Sequence, residues 1–329
     1  MTTKTLKLGK TGPEIFPLGL GCMGMSGMYG KTDDDESVAT IQAAIDRGVN
    51  LIDTGDFYGM GHNERLVGRA LAGGRRDKAV VSVKFGALRA PGGAWLGVDG
   101  RPAAVKNFAA YSLDRLGLDA IDVYRIARLD PNVPIEETVG AIAELVKAGY
   151  VKHVGLSEVG AETIRRAAKV HPIVDVQLEY SLASRGPEEK IFPVLAELGI
   201  SATLYGVFSR GLLTGSKPQG GKDYRAYLPR FTGDAAQKNA DVVAALDRFA
   251  KERSLTKGQL AVAWVLAKQP SLLPVVGAKT RAQLEDSLGA LDKPLSASDV
   301  AALEALVPTG AVVGSRYAAE QMAHLDSER

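Results

Sequence analysis

The run Asn50-Leu-Ile-Asp-Thr-Gly-Asp-Phe-Tyr-Gly59, followed one helical segment later by Ala79-Val-Val-Ser-Val-Lys-Phe85, decides how this chain is read. Each segment begins as an apolar, strand-like run. Each then delivers an ionisable residue where the strand should end: Asp53, with Tyr58 five residues further on, and Lys84. A phenol, an ammonium and a carboxylate together make a proton donor. Lys84 would stabilise the phenolate of Tyr58 and lower its pKa, and Asp53 would keep Lys84 charged and oriented. The same residues would equally serve as a structural Asp53–Lys84 ion pair beside a loop aromatic, so their context has to weigh between the two.

Outward from these strands the chain alternates strand-like and helix-like segments almost from end to end. Strands are expected at 18–22, 49–53, 79–84, 121–126, 151–157, 173–177, 200–205 and 272–276. Asp33-Asp-Asp-Glu36 resembles a helix N-cap with an acid at the third helical position, Val38, Ile41 and Ile45 then mark one helix face, and Gly48 closes it. Further helices are expected over 64–71, 102–117, 135–147, 161–170, 188–198, 235–253, 256–268 and 280–290. A polar loop of about 28 residues follows the seventh strand, far longer than an ordinary connection, which points to a functional segment. Eight strand–helix repeats without a Gly/Ser or Pro-rich linker favour one (β/α)8 TIM barrel over residues 1–329, with an N-terminal segment to about 16 and a tail from about 308. The competing doubly wound sheet would carry G-x-G-x-x-G after its first strand, and Gly19-Leu-Gly21 is only a fragment of that pattern. In such a barrel, chemistry sits at the C-terminal strand ends. Asp53, Lys84, Arg128, Ser157, Gln177 and Tyr205 all fall there.

Composition narrows the function. The chain has 329 residues, 46% hydrophobic content and a formal net charge of +2, without the basic footprint of a nucleic-acid binder. The cluster Gly74-Arg-Arg-Asp-Lys78 reads as a solvated turn. No apolar run reaches the roughly 18 residues of a membrane helix, and residues 1–4 do not begin a signal-peptide core. Cys22 is the only cysteine, so no disulfide framework exists, and a reducing cytoplasm is the expected home. Four scattered histidines, His62, His153, His171 and His324, lack metal-ligand spacing, and no metal is expected. A monomer or weak homo-oligomer is expected.

Several stretches together resemble the aldo-keto reductase superfamily over about residues 5 to 315: Ile52-Asp-Thr-Gly-Asp-Phe-Tyr-Gly59, Asn63-Glu64, Val83-Lys84, Gly155-Leu-Ser-Glu158, Gln177-Leu-Glu-Tyr-Ser181 and Ser209-Arg-Gly-Leu-Leu-Thr-Gly215. The resemblance implies a barrel that binds NADPH and reduces aldehydes or ketones. It makes Tyr58 the general acid, supported by Lys84 and Asp53. Ser157, Glu158 and Gln177 would meet the nicotinamide carboxamide, and Tyr205 would stack on its ring. Backbone amides of the 206–212 stretch, with Gly206, Val207, Ser209, Gly211 and Leu212, would hold the pyrophosphate. Gly277, Lys279 and Arg281 would bind the adenosine 2′-phosphate, with Gln283, Asp286 and Ser287 facing the adenosine. Lys or Arg beside backbone donors at a helix start is what a dianionic phosphate wants.

One position departs from the family pattern. Where most members end the fourth strand in a histidine, Asp122-Val-Tyr-Arg-Ile-Ala-Arg-Leu-Asp130 places Ala127, which resembles the pyridoxal reductase-like branch. Strand alternation would turn Arg128 away from Ala127, so Arg128 is not expected to replace the imidazole. Glu158 stands where many relatives carry asparagine. As a carboxylate it would accept from the carboxamide nitrogen rather than donate. Tyr29, Trp95 and the space at Ala127 are expected to meet the substrate, together with the 216–232 segment carrying Tyr224 and Tyr227. The tail from Val313 either folds over the site or makes a subunit contact. The rival reading is an NADPH-binding regulatory or interaction protein with little turnover.

Overall fold

The structure, a computed structural model, describes residues 5–220 and 223–329. Residues 1–4, read above for a signal sequence, and 221–222 of the long loop lie outside the described residues. The chain opens with β1 (Leu6–Lys7) and β2 (Glu14–Ile15), an antiparallel hairpin pairing Leu6 with Ile15. There follow β3 (Gly19–Gly21), α1 (Asp34–Asp46), β4 (Leu51–Gly55), α2 (His62–Ala70) and β5 (Val80–Phe85). A second hairpin, β6 (Ala87–Arg89) with β7 (Trp95–Val98), leads to α3 (Pro102–Leu116) and β8 (Ile121–Ile126). The alternation continues through α4 (Ile135–Lys147), β9 (Val151–Ser157), α5 (Ala161–Val170), β10 (Ile173–Glu179), α6 (Pro187–Leu198) and β11 (Ser201–Tyr205). The last part holds α7 (Gly233–Glu252), α8 (Lys257–Lys268), β12 (Leu273–Gly277), α9 (Arg281–Leu288), α10 (Ala297–Leu306) and α11 (Ala319–Ala323).

Strands β3, β4, β5, β8, β9, β10, β11 and β12 pair in parallel and in chain order, and β12 closes on β3 through Val275–Gly19 and Val276–Leu20. The eight-stranded barrel expected from the sequence is therefore present, and closure excludes the open doubly wound sheet. The helix signals also hold. Asp33 caps α1 by accepting from the Glu36 amide at 2.8 Å. Gly48, Gly117 and Gly199 take the left-handed conformation after α1, α3 and α6.

Alternation along the strands divides the barrel interior into layers. At the floor Leu51, Val123, Leu273 and Val275 pack with Leu8 and Ile15 of the hairpin, which plugs the barrel from below, and Val174 joins them where the register of β10 shifts between Ile173 and Asp175. Above them lies a polar layer: Asp53, Ser82, Arg125, Asp175 and Thr203. Gly155 makes room for it, because a Cβ there would sit 2.8 Å from Asp175 Oδ1. The outward positions, Ile52, Val81, Val83, Tyr124 and Ile126 among them, join the main core against the helices.

Four features were not expected. β1 and β2 are two residues each, too short to show alternation. The segment carrying Trp95, where no strand is expected, is the β6–β7 hairpin. α10 and α11 lie beyond the last expected helix, and the long loop after β11 carries short 3-10 turns at Ser209–Gly211, Tyr224–Tyr227 and Pro229–Phe231.

Candidate active site

The C-terminal ends of the strands open into one cleft of about 600 Å³. On its floor the Lys84 ammonium donates to Asp53 Oδ1 and, at 2.9 Å, to Gln177 Oε1. Gln177 Nε2 returns a hydrogen bond to Asp53 Oδ2 at 2.8 Å, so three strands lock one triangle. The polar layer supports it from below. Ser82 Oγ donates to Asp53 at 3.0 Å, while Arg125 holds Ser82 at 2.9 Å and Asp175 at 2.8 Å. Arg125 and Asp175 are both wholly buried, so each needs the other's charge. Arg125 was absent from the sequence reading. Its signal was a charge two residues after Val123, on the same inward face of the strand.

Tyr58 leaves β4 through a tight turn, its amide donating to Gly55 O at 3.1 Å. Its ring lies buried in the cleft, edge-on to Phe57, with Lys84 Nζ 5.3 Å from its centroid. The expected lowering of the phenol pKa is not what this environment produces. Burial pushes it well above its ordinary value, and the nearby Asp53 charge adds to that. Burial also lowers the pKa of Lys84, against the upward pull of Asp53. The resting phenol is thus held protonated.

The other expected residues separate into two groups. Ser157, Gln177, Tyr205, Gly206, Val207, Gly211, Gly277, Lys279, Gln283, Asp286 and Ser287 line the cleft, as do Tyr29, Trp95 and Ala127. Ser157 Oγ is buried and has no hydrogen-bond partner among the described residues, and a Cβ on Gly277 would meet nothing within 4 Å. An orphaned hydroxyl and open space beside the backbone suit a ligand that brings its own polar groups, as a dinucleotide does. Glu158, Ser209, Leu212 and Arg281 are placed elsewhere. Glu158 turns under the tail, where Arg316 Nη2 donates to it at 2.6 Å and Ser327 Oγ at 2.6 Å. The amides of Ser209, Gly211 and Leu212 are used inside their own turn, donating to Gly206, Phe208 and Ser209 carbonyls, because Ser209 and Arg210 adopt left-handed conformations that coil the segment. Arg281 begins α9 but pairs with Glu36 at 2.8 Å.

The tail folds over the site. Tyr317, Gln321, His324 and Leu325 line the cleft, and Tyr224 Oη donates to Gln321 Oε1 at 2.7 Å. The hydroxyls of Tyr205 and Tyr317 lie 3.1 Å apart. Arg128 corrects another expectation. β8 ends at Ile126, alternation stops there, and Arg128 lines the same cleft as Ala127. Its guanidinium donates to Ala127 O at 2.6 Å and to Tyr317 Oη at 3.2 Å. Among the described residues no His/Cys/Asp/Glu cluster could hold a metal, and no helix is long and apolar enough to cross a membrane.

Comparison with known proteins agrees with this geometry. The model of the aldo/keto reductase family matches residues 17–308. A probable aldo-keto reductase 1 from Glycine max is 38% identical over 316 residues, which span 95% of this chain and 91% of that protein. Among solved structures, a glycerol dehydrogenase from Gluconobacter oxydans superposes with a TM-score of 0.83 at 28% identity, over 96% of this chain and 98% of the other. The holo form of an aldo-keto reductase from Bacillus halodurans superposes with a TM-score of 0.75 at 29% identity, over 93% and 96%. Sequence motifs, closed barrel and relatives converge, and this chain belongs to the aldo/keto reductase family, oxidoreductases that reduce carbonyl compounds with a nicotinamide cofactor.

Proposed function

We propose that the protein reduces an aldehyde or ketone to the alcohol using NADPH, with Tyr58 as the proton donor. The observation that carries this reading is the phenol of Tyr58, buried in the cleft beside the Lys84–Asp53–Gln177 triangle. When bound, the reduced nicotinamide supplies a hydride to the carbonyl carbon. Negative charge then grows on the carbonyl oxygen, and Tyr58 Oη passes its proton there. A raised phenol pKa is no obstacle, because an alkoxide is far more basic than a phenolate. Lys84 stabilises the phenolate left behind, and Asp53 keeps Lys84 charged against its burial.

Along the cleft Tyr205 offers its ring to the nicotinamide. Ser157 Oγ is the freer carboxamide partner, since both polar atoms of Gln177 are engaged. Lys279 carries the assignment of NADPH over NADH. Lys279 lines the cleft, its ammonium donates to the carbonyls of Tyr29 and Lys31 at 3.0 and 3.2 Å, and among the described residues it forms no salt bridge that it would have to surrender. Arg281 would first have to exchange Glu36 for the phosphate. Phe57, Trp95, Tyr224 and Tyr317 give the substrate end flat apolar walls, and Ala127 leaves space at the fourth strand end. That supports a planar or cyclic carbonyl compound, with pyridoxal among the candidates through the branch that Ala127 resembles. The test is NADPH oxidation across aldehydes, pyridoxal and cyclic ketones. Tight NADPH binding without turnover on any of them would favour the regulatory alternative.

A further inference from the structure

We propose that Arg128 is a catalytic residue: its guanidinium donates a hydrogen bond to the substrate carbonyl oxygen alongside Tyr58, and Tyr317 and the Ala127 carbonyl hold it in position. The inference rests on the carbonyl reduction proposed above. Arg128, Tyr58, Lys84 and Ala127 line the same cleft. No carboxylate among the described residues forms a salt bridge with Arg128. Its hydrogen bonds go to two neutral oxygens, Ala127 O and Tyr317 Oη, and its guanidinium also lies 5.8 Å from the Tyr317 ring centroid. The other cleft-facing guanidinium close to Tyr317, that of Arg210, is 2.9 Å from Glu179. Glu158, the carboxylate whose field reaches Arg128, is taken up by Arg316.

Arg128 is half-buried in the cleft, and a partly desolvated cation without a counter-ion favours whatever brings the negative charge. In this cleft that charge develops on the carbonyl oxygen during reduction. The placement fits that role: the Ala127 amide donates to Phe85 O at 2.8 Å, which sets Arg128 just beyond the strand end next to Lys84, and its charge pulls the pKa of both Tyr58 and Lys84 downward. Arginine is also suited to it, because the guanidinium stays charged at every working pH and its fork can keep its two anchors while offering a further N–H. Tyr58 gives up the proton, and Arg128 keeps all of its own and only donates hydrogen bonds.

The experiment compares Arg128→Ala, Arg128→Lys and Tyr58→Phe with the parent enzyme, using benzaldehyde and 4-carboxybenzaldehyde as probes. We expect Arg128→Ala to lower kcat/KM about 10²-fold for both aldehydes, chiefly through kcat. NADPH affinity, read by fluorescence titration, should be unchanged. Added guanidinium ion should restore part of the rate, and Arg128→Lys should fall between. An unchanged kcat/KM would overturn the assignment. So would a loss confined to the carboxylated probe, which would make Arg128 a binder of a substrate substituent. A loss that neither guanidinium nor lysine relieves would overturn it too, because that marks a structural role. Failure of the underlying reading looks different: Tyr58→Phe would then match the parent, whereas a failed Arg128 assignment leaves Tyr58→Phe inactive.

Discussion

Two buried ionic clusters stand side by side at the mouth of this barrel, and they are built in opposite ways. The first, Asp53, Lys84 and Gln177 over Arg125 and Asp175, comes entirely from inward positions of the strands. The second gathers Glu158 and Glu179 from the ends of β9 and β10, Arg210 and Arg230 from the long loop, and Arg316 from the tail. Closed-barrel geometry alone places the first. The second exists only after the loop and tail have folded down, and it clamps both to the rim. The difference suggests a division of labour: the strand-borne cluster supports the chemistry, and the loop-borne one keeps the cleft covered.

The sharpest way to break that division is to hit one cluster at a time. Tyr58→Phe removes the proton donor and should lower kcat about 10³-fold, with NADPH binding and thermal stability little changed. Turnover close to the parent's would remove Tyr58 as the acid. Arg316→Ala should do the reverse. Burial opposes the ionisation of Glu158, yet Arg316, Arg128 and Ser327 outweigh it and hold its carboxyl down to about 2. Removing Arg316 leaves that carboxylate buried and under-paired, which costs about 3–5 kcal/mol. A fall of roughly 5–10 °C in Tm is expected, with kcat on a saturating substrate much less affected than KM. An unshifted Tm would mean the clamp contributes nothing to holding the tail.

The same contrast explains what the sequence could and could not say. Asp53, Lys84, Ser157 and Gln177 are readable because each closes a strand-like segment, and a strand end in a barrel has one fate. Arg316 and Glu158 are 158 positions apart, and no local pattern links them. Glu158 was therefore assigned to the cofactor, when its carboxylate faces the tail. Arg128 failed for a related reason: alternation is a rule about strands, and β8 stops two residues before it. The 206–212 stretch was legible as a special segment but not in its detail, since left-handed Ser209 and Arg210 consume amides that an extended loop would have left free.

A further carboxylate sharpens the comparison, because it belongs to neither cluster. Asp56, just beyond β4, is buried, with Oδ1 unpartnered among the described residues and with Oδ2 accepting from the Gly86 amide at a long 3.3 Å. Burial, then repulsion from Glu64, pushes its carboxyl up from 3.8 to about 7. The folded protein therefore keeps this proton where the unfolded chain has lost it. Stability contributed here is present at low pH, falls as pH rises from about 4 to about 7, and stays lost above that. Asp56→Asn should remove the dependence, stabilising by on the order of 1–2 kcal/mol near pH 8 and by nothing, or slightly negatively, near pH 5. Denaturant titrations at the two pH values check this, and equal effects at both would mean that Asp56 titrates normally.

The smallest expected effect tests the cofactor end of the cleft. Lys279→Ala removes a charge and also the two hydrogen bonds that tether the Tyr29–Lys31 backbone. Loss of the tether loosens a wall of the cleft that either dinucleotide would touch, so it weakens NADPH and NADH alike. Loss of the charge weakens only the one carrying a 2′-phosphate, by about 1–2 kcal/mol, or roughly tenfold in Kd. The ratio of the two dissociation constants thus isolates the electrostatic part, and that ratio should shrink in the parent as salt rises because the group is partly exposed. If the substitution weakens both cofactors by the same factor, Lys279 is a loop anchor only, and the phosphate must be sought at Arg281 after it releases Glu36.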